Sequence, residues 1–325
     1  MILVLSEPEV ERLLPLEACI DVMSEALSAL ARGEMYQPLR AVARPPDAPG
    51  LIGLMPAYRS AAPAAFGLKA VNVMPGNPAR GLDAHQGAVL ISDGDTGELR
   101  AIVNASPITA IRTAAVSAVA TRALAREDAR ELAILGAGVQ ARSHLQAMAA
   151  VRPFARARIW SRTAANAQHL AVDAAAPFPV EVVESAEDAV RGADVIVTAT
   201  SSPTPVVRRE WLGDGAHVNA VGSSIPTTRE LDSETVAAAS LFVDRRESAE
   251  NESGDYLMAL RDGAIAPGHI RAELGDVLVG EAPGRTSDGE LTVFKSLGLA
   301  VEDLAAAQYV VERARESGGG TEVAF

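Results

Sequence analysis

The chain opens on a short apolar run, Ile2 to Leu5, followed by Ser6, Glu7, Pro8 and Glu9, which have the spacing of a helix-opening capping box with proline in the first turn. Ile20, Met23, Leu27 and Leu30 then recur at helical intervals before Gly33, which predicts an amphipathic helix with a glycine stop. From about residue 40 to 105 the apolar runs shorten and are broken by proline and glycine, as in a series of strands. Val89 to Ser92 and Leu99 to Val103 flank a hairpin-like turn at Asp93 to Glu98. Helical spacing returns from Thr109 to Ala125 through Val116, Val119 and Ala123, which places Arg112 in the first turn.

From Glu131 the rhythm alternates between strand and helix. Strands are expected at Leu132 to Leu135, Arg158 to Ser161, Val180 to Val183, Asp194 to Thr200, His217 to Val221 and Leu241 to Asp244. Helices are expected at Gln140 to Ala150, Ala164 to Ala175 and Ala186 to Arg191. Such alternation predicts an α/β fold with a doubly wound parallel sheet. The region ends near Phe294, after which Ala300, Leu304, Ala307 and Val311 form a last amphipathic stripe ahead of Ser317 to Gly320, expected to be a mobile tail. The expected organisation is a first domain of residues 1–125, completed by 297–325, with a dinucleotide domain of residues 126–296 inserted between them.

Composition narrows the function classes. A chain of 325 residues can bury two ordinary cores. No apolar run approaches the roughly 18 to 20 residues of a membrane span, and the first residues lack the cationic and apolar regions of a secretory signal, so a cytoplasmic protein is expected, without membrane partners. A formal net charge of −13 speaks against nucleic acid as a partner. Cys19 is the only cysteine and lies in an apolar helical pattern, reading as a buried structural thiol. His85, His144, His169, His217 and His269 show no metal-ligand spacing, so no metal is expected; His85 is a candidate for substrate contact. Of the 29 basic residues only Lys69 and Lys295 are lysines. Where arginine serves almost everywhere, a surviving lysine can mark a site that must release a proton, although arginine-rich codon usage explains the same count.

Gly136, Gly138 and Ala141 form a GxGxxA motif directly after one expected strand and at the start of a helix, the setting in which the motif signals dinucleotide binding. Gly136 permits the turn and Gly138 a close approach to pyrophosphate. Val139, Gln140 and Ala141 offer the N–H groups of a helix N-terminus, and Ala141 keeps that helix near the strand. The next strand ends in Trp160, Ser161, Arg162 and Thr163, with no acidic residue for a ribose 2′-hydroxyl. A cation beside hydroxyl donors suits a 2′-phosphate, which favours NADP(H) over NAD(H). Arg162 pointing into solvent, with both cofactors accepted, is the alternative. Thr198, Ala199, Thr200 and Ser201, and also Val221, Gly222 and Ser223, sit at the ends of later strands and complete the expected cofactor set.

Outside that region Arg40, Lys69 and Arg112 each occupy an apolar neighbourhood. Each alone reads as a structural ion pair, and spacing cannot bring them together. Converged, two arginines would hold a carboxylate while Lys69 supplies charge or a proton, and Arg112 would add the pull of a helix N-terminus.

The sequence resembles the ornithine cyclodeaminase/mu-crystallin family in Leu54 to Tyr58, Ile108 to Ala118, Ile134 to Ala141, Gly192 to Ile196, His217 to Gly222, Arg229 to Asp232, Glu252 to Asp255 and Thr292 to Gly298. The resemblance implies a Rossmann domain inserted into a substrate and dimerisation domain, a homodimer, and a pocket in which Arg40 and Arg112 hold a carboxylate while Lys69 lies near the reacting carbon. The expected substrate residues are Arg40, Met55, Lys69, Arg112, Ser224 and Lys295. Cyclodeaminases in the family carry acids where this chain has Gly53 and Ser224, a departure that favours the ketimine reductase and alanine dehydrogenase branches. The expected activity is therefore NAD(P)H-dependent reduction of a small anionic imino acid or oxidation of the matching amino acid. Ornithine or lysine cyclodeamination, and NADPH-dependent ligand binding without catalysis, are the alternatives.

Overall fold

A computed structural model describes residues 1–77 and 79–325. The chain runs β1 (Ile2–Leu5), α1 (Glu7–Leu13), α2 (Leu16–Ala31), β2 (Met35–Tyr36), β3 (Ala41–Ala43), β4 (Leu51–Arg59), β5 (Ala65–Val73), β6 (His85–Asp93), β7 (Leu99–Asn104) and α3 (Ala105–Leu124). It continues through β8 (Glu131–Leu135), α4 (Val139–Ala149), β9 (Arg156–Trp160), α5 (Ala164–Asp173), β10 (Val180–Val182), α6 (Ala186–Val190), β11 (Val195–Thr198) and β12 (His217–Ala220). The last part holds α7 (Ser233–Ala238), β13 (Ser240–Val243), α8 (Arg246–Glu252), α9 (Gly254–Arg261), β14 (Ile270–Glu273), α10 (Leu274–Leu278), β15 (Thr292–Lys295), α11 (Ala300–Ser317) and β16 (Thr321–Val323). Two units emerge: residues 1–112 with 298–325, and residues 113–297.

The first unit is built on a mixed sheet in the order β16-β1-β7-β6-β5-β4-β2, with β3 also paired to β4. Strand alternation decides which side chains are covered. Gly53, Met55 and Ala57 of β4, Ala65, Gly67, Lys69 and Val71 of β5, and Val89 and Ile91 of β6 share one face, and most of it is buried. Helix α11 lies on this face; a Cβ at Gly67 would come within 2.8 Å of Leu304, so glycine lets helix and sheet close. The opposite face carries Leu54, Pro56, Tyr58, Phe66, Leu68 and Leu90 in cross-strand register, with Leu54 38% and Phe66 49% exposed.

The second unit is a parallel sheet in the order β10-β9-β8-β11-β12-β15-β13-β14. Strands β8, β11 and β12 are buried over nearly their whole length, as parallel strands covered on both faces must be. The chain reverses its direction of growth between β8 and β11, so the crevice of a doubly wound sheet opens at Leu135 and Thr198.

Four sequence expectations change. Helix α3 begins at Ala105, because Asn104 Oδ1 accepts the Ser106 N–H at 2.9 Å and Pro107 suits a first turn; Arg112 lies two turns in, away from the helix N-terminus. The division between units falls at Arg112, inside α3. The glycine tail is not a loose end: Gly318 and Gly320 take positive φ angles of 73° and 84°, and the turn they make returns β16 antiparallel onto β1. Strand β15 was hidden in the irregular stretch before Phe294; it slots between β12 and β13. Among the described residues no helix is long and apolar enough to cross a membrane.

Candidate active site

In the first unit three of the expected cations gather with two carboxylates that sequence reading missed. Lys69, in the middle of β5 and opposite Met55 of β4, points to the covered face; it is 3% exposed. Its Nζ lies 2.7 Å from Asp303 Oδ2. The other oxygen of Asp303 accepts Arg112 Nε at 3.0 Å, and Arg112 Nη1 donates to Glu302 Oε2 at 2.7 Å. Glu302 Oε2 also accepts the Leu299 N–H at the start of α11. Both acids occupy the first turn of that helix, where its macrodipole favours negative charge. Asp303 was legible as an acid interrupting the apolar stripe of Ala300, Leu304 and Ala307.

Arg40 reaches the same place by a different route. The Gln37 side chain accepts the Val301 N–H at 3.0 Å and so ties the segment after β2 to the head of α11. Arg40 Nη2 then donates to the Gly298 carbonyl at 2.9 Å. Gly298 has φ +80°, and a Cβ there would come within 2.6 Å of Arg112 Nη1. Only glycine allows that turn and leaves room for the guanidinium.

Burial pushes the Lys69 ammonium down to about 8; Asp303 pulls the other way, while the charges of Arg112 and Arg40 add to the depression. His85 sits on the same strand face as Val89, the neighbour of Lys69 across β5 and β6. Its pKa is lowered by desolvation and then by the charges of Lys69 and Arg112. Cys19 is buried in α2 and its thiol is pushed up by desolvation, as expected of a structural cysteine.

Two of the expected substrate residues belong to the second unit. Ser224 is half-buried on the segment after β12, in the second unit. Lys295 ends β15, is 1% exposed and lies 3.0 Å from Asp255 Oδ2. Lys295 is thus a buried cation held beside its own acid in the second unit.

The second unit carries the dinucleotide signature in the geometry the chemistry needs. Gly136 has φ +122°, and a Cβ there would collide with the backbone of Ala199, so the turns after β8 and β11 approach as only glycine permits. A Cβ on Gly138 would meet nothing within 4 Å, leaving open space at the head of α4. Val139 is 58% exposed there and Ala141 is fully buried against the strand. An 11-residue helix with its N-terminal N–H groups facing open space fits a pyrophosphate. Strand β9 ends at Trp160, followed by half-buried Ser161 and by Arg162 and Thr163, which are exposed.

Among the residues expected at the cofactor, Thr198 and Ser223 are buried with their hydroxyls committed inside the protein. Thr198 Oγ1 donates to Glu230 Oε2 at 2.7 Å, and Ser223 Oγ donates to the Thr228 carbonyl. Their side chains hold the turns and are not presented to a ligand. Ala199, Thr200, Ser201, Val221 and Gly222 stay at the strand ends, partly exposed. His144 and His217 are buried, with desolvation pushing them down to about 4 and about 3, so they are neutral core side chains. No group of three His, Cys, Asp or Glu gathers as a metal site among the described residues.

A parallel dinucleotide-binding unit and a mixed-sheet unit holding a buried cationic cluster define a two-part dinucleotide-binding protein. The chain belongs to the ornithine cyclodeaminase/mu-crystallin family, which it matches over residues 2–318. It is 43% identical over 298 residues to the ketimine reductase mu-crystallin of Mus musculus, covering 92% of this chain and 90% of that protein. It is similar to the structure of Thermococcus litoralis Delta(1)-pyrroline-2-carboxylate reductase in complex with NADH and L-proline, with a TM-score of 0.96 at 38% identity, over 99% of this chain and 100% of that one. An archaeal alanine dehydrogenase dimer with bound NAD gives a TM-score of 0.93 at 32% identity, over 100% and 99%.

Proposed function

We propose that the protein is a nicotinamide-dependent reductase of small imino acids, moving a hydride to or from the carbon next to a carboxylate, with NADPH preferred over NADH. The observation that carries this reading is the cluster around Lys69. Three cations meet two carboxylates in a largely buried setting, which suits a ligand that carries a carboxylate. Arg40 and Arg112 bind and orient that group, as guanidinium forks do. Lys69, poised near 8, gives a proton to the imine nitrogen in reduction and takes it back in oxidation. A bound reduced nicotinamide supplies the hydride. C=N thereby becomes CH–NH, with the carbon receiving the hydride and the nitrogen the proton. The ketimine and pyrroline-2-carboxylate reductases among its relatives support the same class of reaction.

The preference for NADPH rests on Ser161, Arg162 and Thr163, which follow β9 with no carboxylate in their place. Gly53 and Ser224, where the resemblance puts acids in cyclodeaminases, count against ring closure with ammonia loss. The active form is a homodimer joined through the apolar face of Leu54, Tyr58, Phe66 and Leu68. Tyr58 and Phe66 already stack across the strands, with centroids 4.7 Å apart. An exposed apolar sheet face of this kind is what a second copy covers. The alanine dehydrogenase relative is a dimer.

The test is oxidation of NADPH and NADH, followed by absorbance, against cyclic imino acids with a carboxylate on the imine carbon and against pyruvate with ammonia or methylamine. Faster loss of NADPH with any of them is expected. Ammonia release from a diamino acid without net cofactor oxidation would replace this reading with cyclodeamination, and tight cofactor binding without turnover would replace it with a binding role.

A further inference from the structure

Glu230 lies in the second unit, wholly buried, with every polar group engaged. Its carboxylate accepts the Thr198 hydroxyl at 2.7 Å, the Thr200 N–H at 2.6 Å and the Gly222 N–H at 2.7 Å. Its own N–H donates to Asp255 Oδ1 at 2.8 Å, which also accepts the Leu231 N–H at 2.9 Å. Its carbonyl accepts the N–H groups of Val206 and Val207. Asp255 is in turn fixed by Lys295. A chain of buried charges therefore runs from the end of β15, through the first turn of α9, to the turns that follow β11 and β12.

These two turns occupy the half of the crevice opposite the adenosine side. The GxGxxA turn after β8 and the end of β9 serve one mononucleotide half of a doubly wound sheet, and β11 and β12 serve the other. Thr200 and Gly222 aim their N–H groups down at Glu230. Because a trans peptide sets its C=O opposite its N–H, the carbonyls of Ala199 and Val221 are turned away from Glu230, and that of Ala199 packs against Gly136 in the turn after β8. Gly222 allows this closeness: a Cβ there would come within 2.5 Å of Glu230 Oε1 and would also strike Thr200. A buried carboxylate is costly, and desolvation raises the pKa of this one. A leucine could fill the volume, but only a carboxylate receives three donors from two separate turns.

We propose that Glu230 is a positioning residue for the nicotinamide end of the cofactor: it holds the Ala199–Thr200 and Val221–Gly222 peptides, and with them the two turns that line that half of the crevice. The inference rests on the dinucleotide reading above and deepens it. Glu230 touches no ligand itself, and the effect belongs to one half of the cofactor alone.

That confinement provides the test. Whichever of NADPH and NADH binds the full-length protein more tightly is titrated calorimetrically against wild type and Glu230→Gln, beside the matching fragment that lacks nicotinamide. Glutamine keeps the shape but turns an NH2 toward N–H donors, losing one charge-assisted hydrogen bond, so dinucleotide affinity falls ~10-fold while fragment affinity holds within about twofold. Equal loss for both ligands, or no loss for either, overturns the proposal. If the glutamine variant does not fold, Thr198→Val removes one of the three donors and is expected to show the same selective loss on a smaller scale; equal or absent effects there overturn it as well. Wild-type protein that binds neither ligand overturns the dinucleotide reading, and this inference falls with it.

Discussion

Asp303 binds Lys69 through one carboxylate oxygen and Arg112 through the other, at 2.7 and 3.0 Å, so a single acid on α11 sets the distance between the two cations. It is also the largest influence holding the Lys69 proton against desolvation.

The pH dependence of turnover follows from Lys69. Reduction needs the ammonium, so kcat/KM for imine reduction falls as pH rises through about 8; oxidation needs the neutral amine and rises over the same range. Lys69→Met abolishes both, with a loss of at least ~100-fold, while dinucleotide affinity is retained. Wild-type turnover in that variant would remove Lys69 from the chemistry. Stability carries a matching signature. Between about 8 and 10.5 the unfolded chain keeps a proton that folded Lys69 has released, so this group's contribution grows more favourable as pH rises through that window. Urea titrations of wild type and Lys69→Met across the window test this, since the methionine variant loses that slope.

Asp303→Asn leaves two buried cations without their shared acid. Breaking a buried pair costs about 3–5 kcal/mol, read as a drop in the midpoint of denaturant unfolding. Because Asp303 raises the Lys69 pKa, its loss moves the pH profile of reduction toward lower pH. An unmoved profile in a folded variant would show that Asp303 does not set the lysine's proton affinity.

Gly298→Ala combines two penalties, a positive φ and a methyl group 2.6 Å from the Arg112 guanidinium. The conformational part alone is about 1–2 kcal/mol. Displacement of Arg112 should raise KM for the carboxylate substrate more than it lowers kcat, with cofactor KM unchanged. Steady-state kinetics with each substrate varied separately checks the split.

Leu68→Glu places a charge in the middle of the exposed sheet face while leaving the covered face of β5 intact. With the proposed interface, sedimentation velocity should report a dimer for wild type and a monomer for the variant. A dimeric variant would move the interface elsewhere.

The parallel sheet was legible because strand and helix periodicities alternate and because Gly136 and Gly138 fall in that context. The helices of the first unit were legible from their periodicity, but its sheet was legible only as separate strands, since a two-residue period does not say which strands pair. Nothing in the spacing of Lys69 and Arg112 reveals that the acid between them comes from the last helix. That Lys295 is paired with Asp255 was not legible, because its partner is contributed by a different element. Arg112 was assigned to the first turn because an apolar strand runs directly into α3, and the capping Asn104 belongs to that strand's pattern. Thr198 and Ser223 stand where side chains usually face a ligand, but hydroxyls satisfy internal acceptors equally well.

The distance along the chain between Arg112 and Asp303, 191 positions, also sets an order of events during synthesis. Until the ribosome has delivered α11, the covered face of the first sheet has no lid and its two buried cations have no acid. Strand β15 is similarly late for the sheet it divides. Neither unit can close until its late elements have been made, β15 for the second and α11 for the first, so the nascent chain carries unfinished apolar surface through most of its translation.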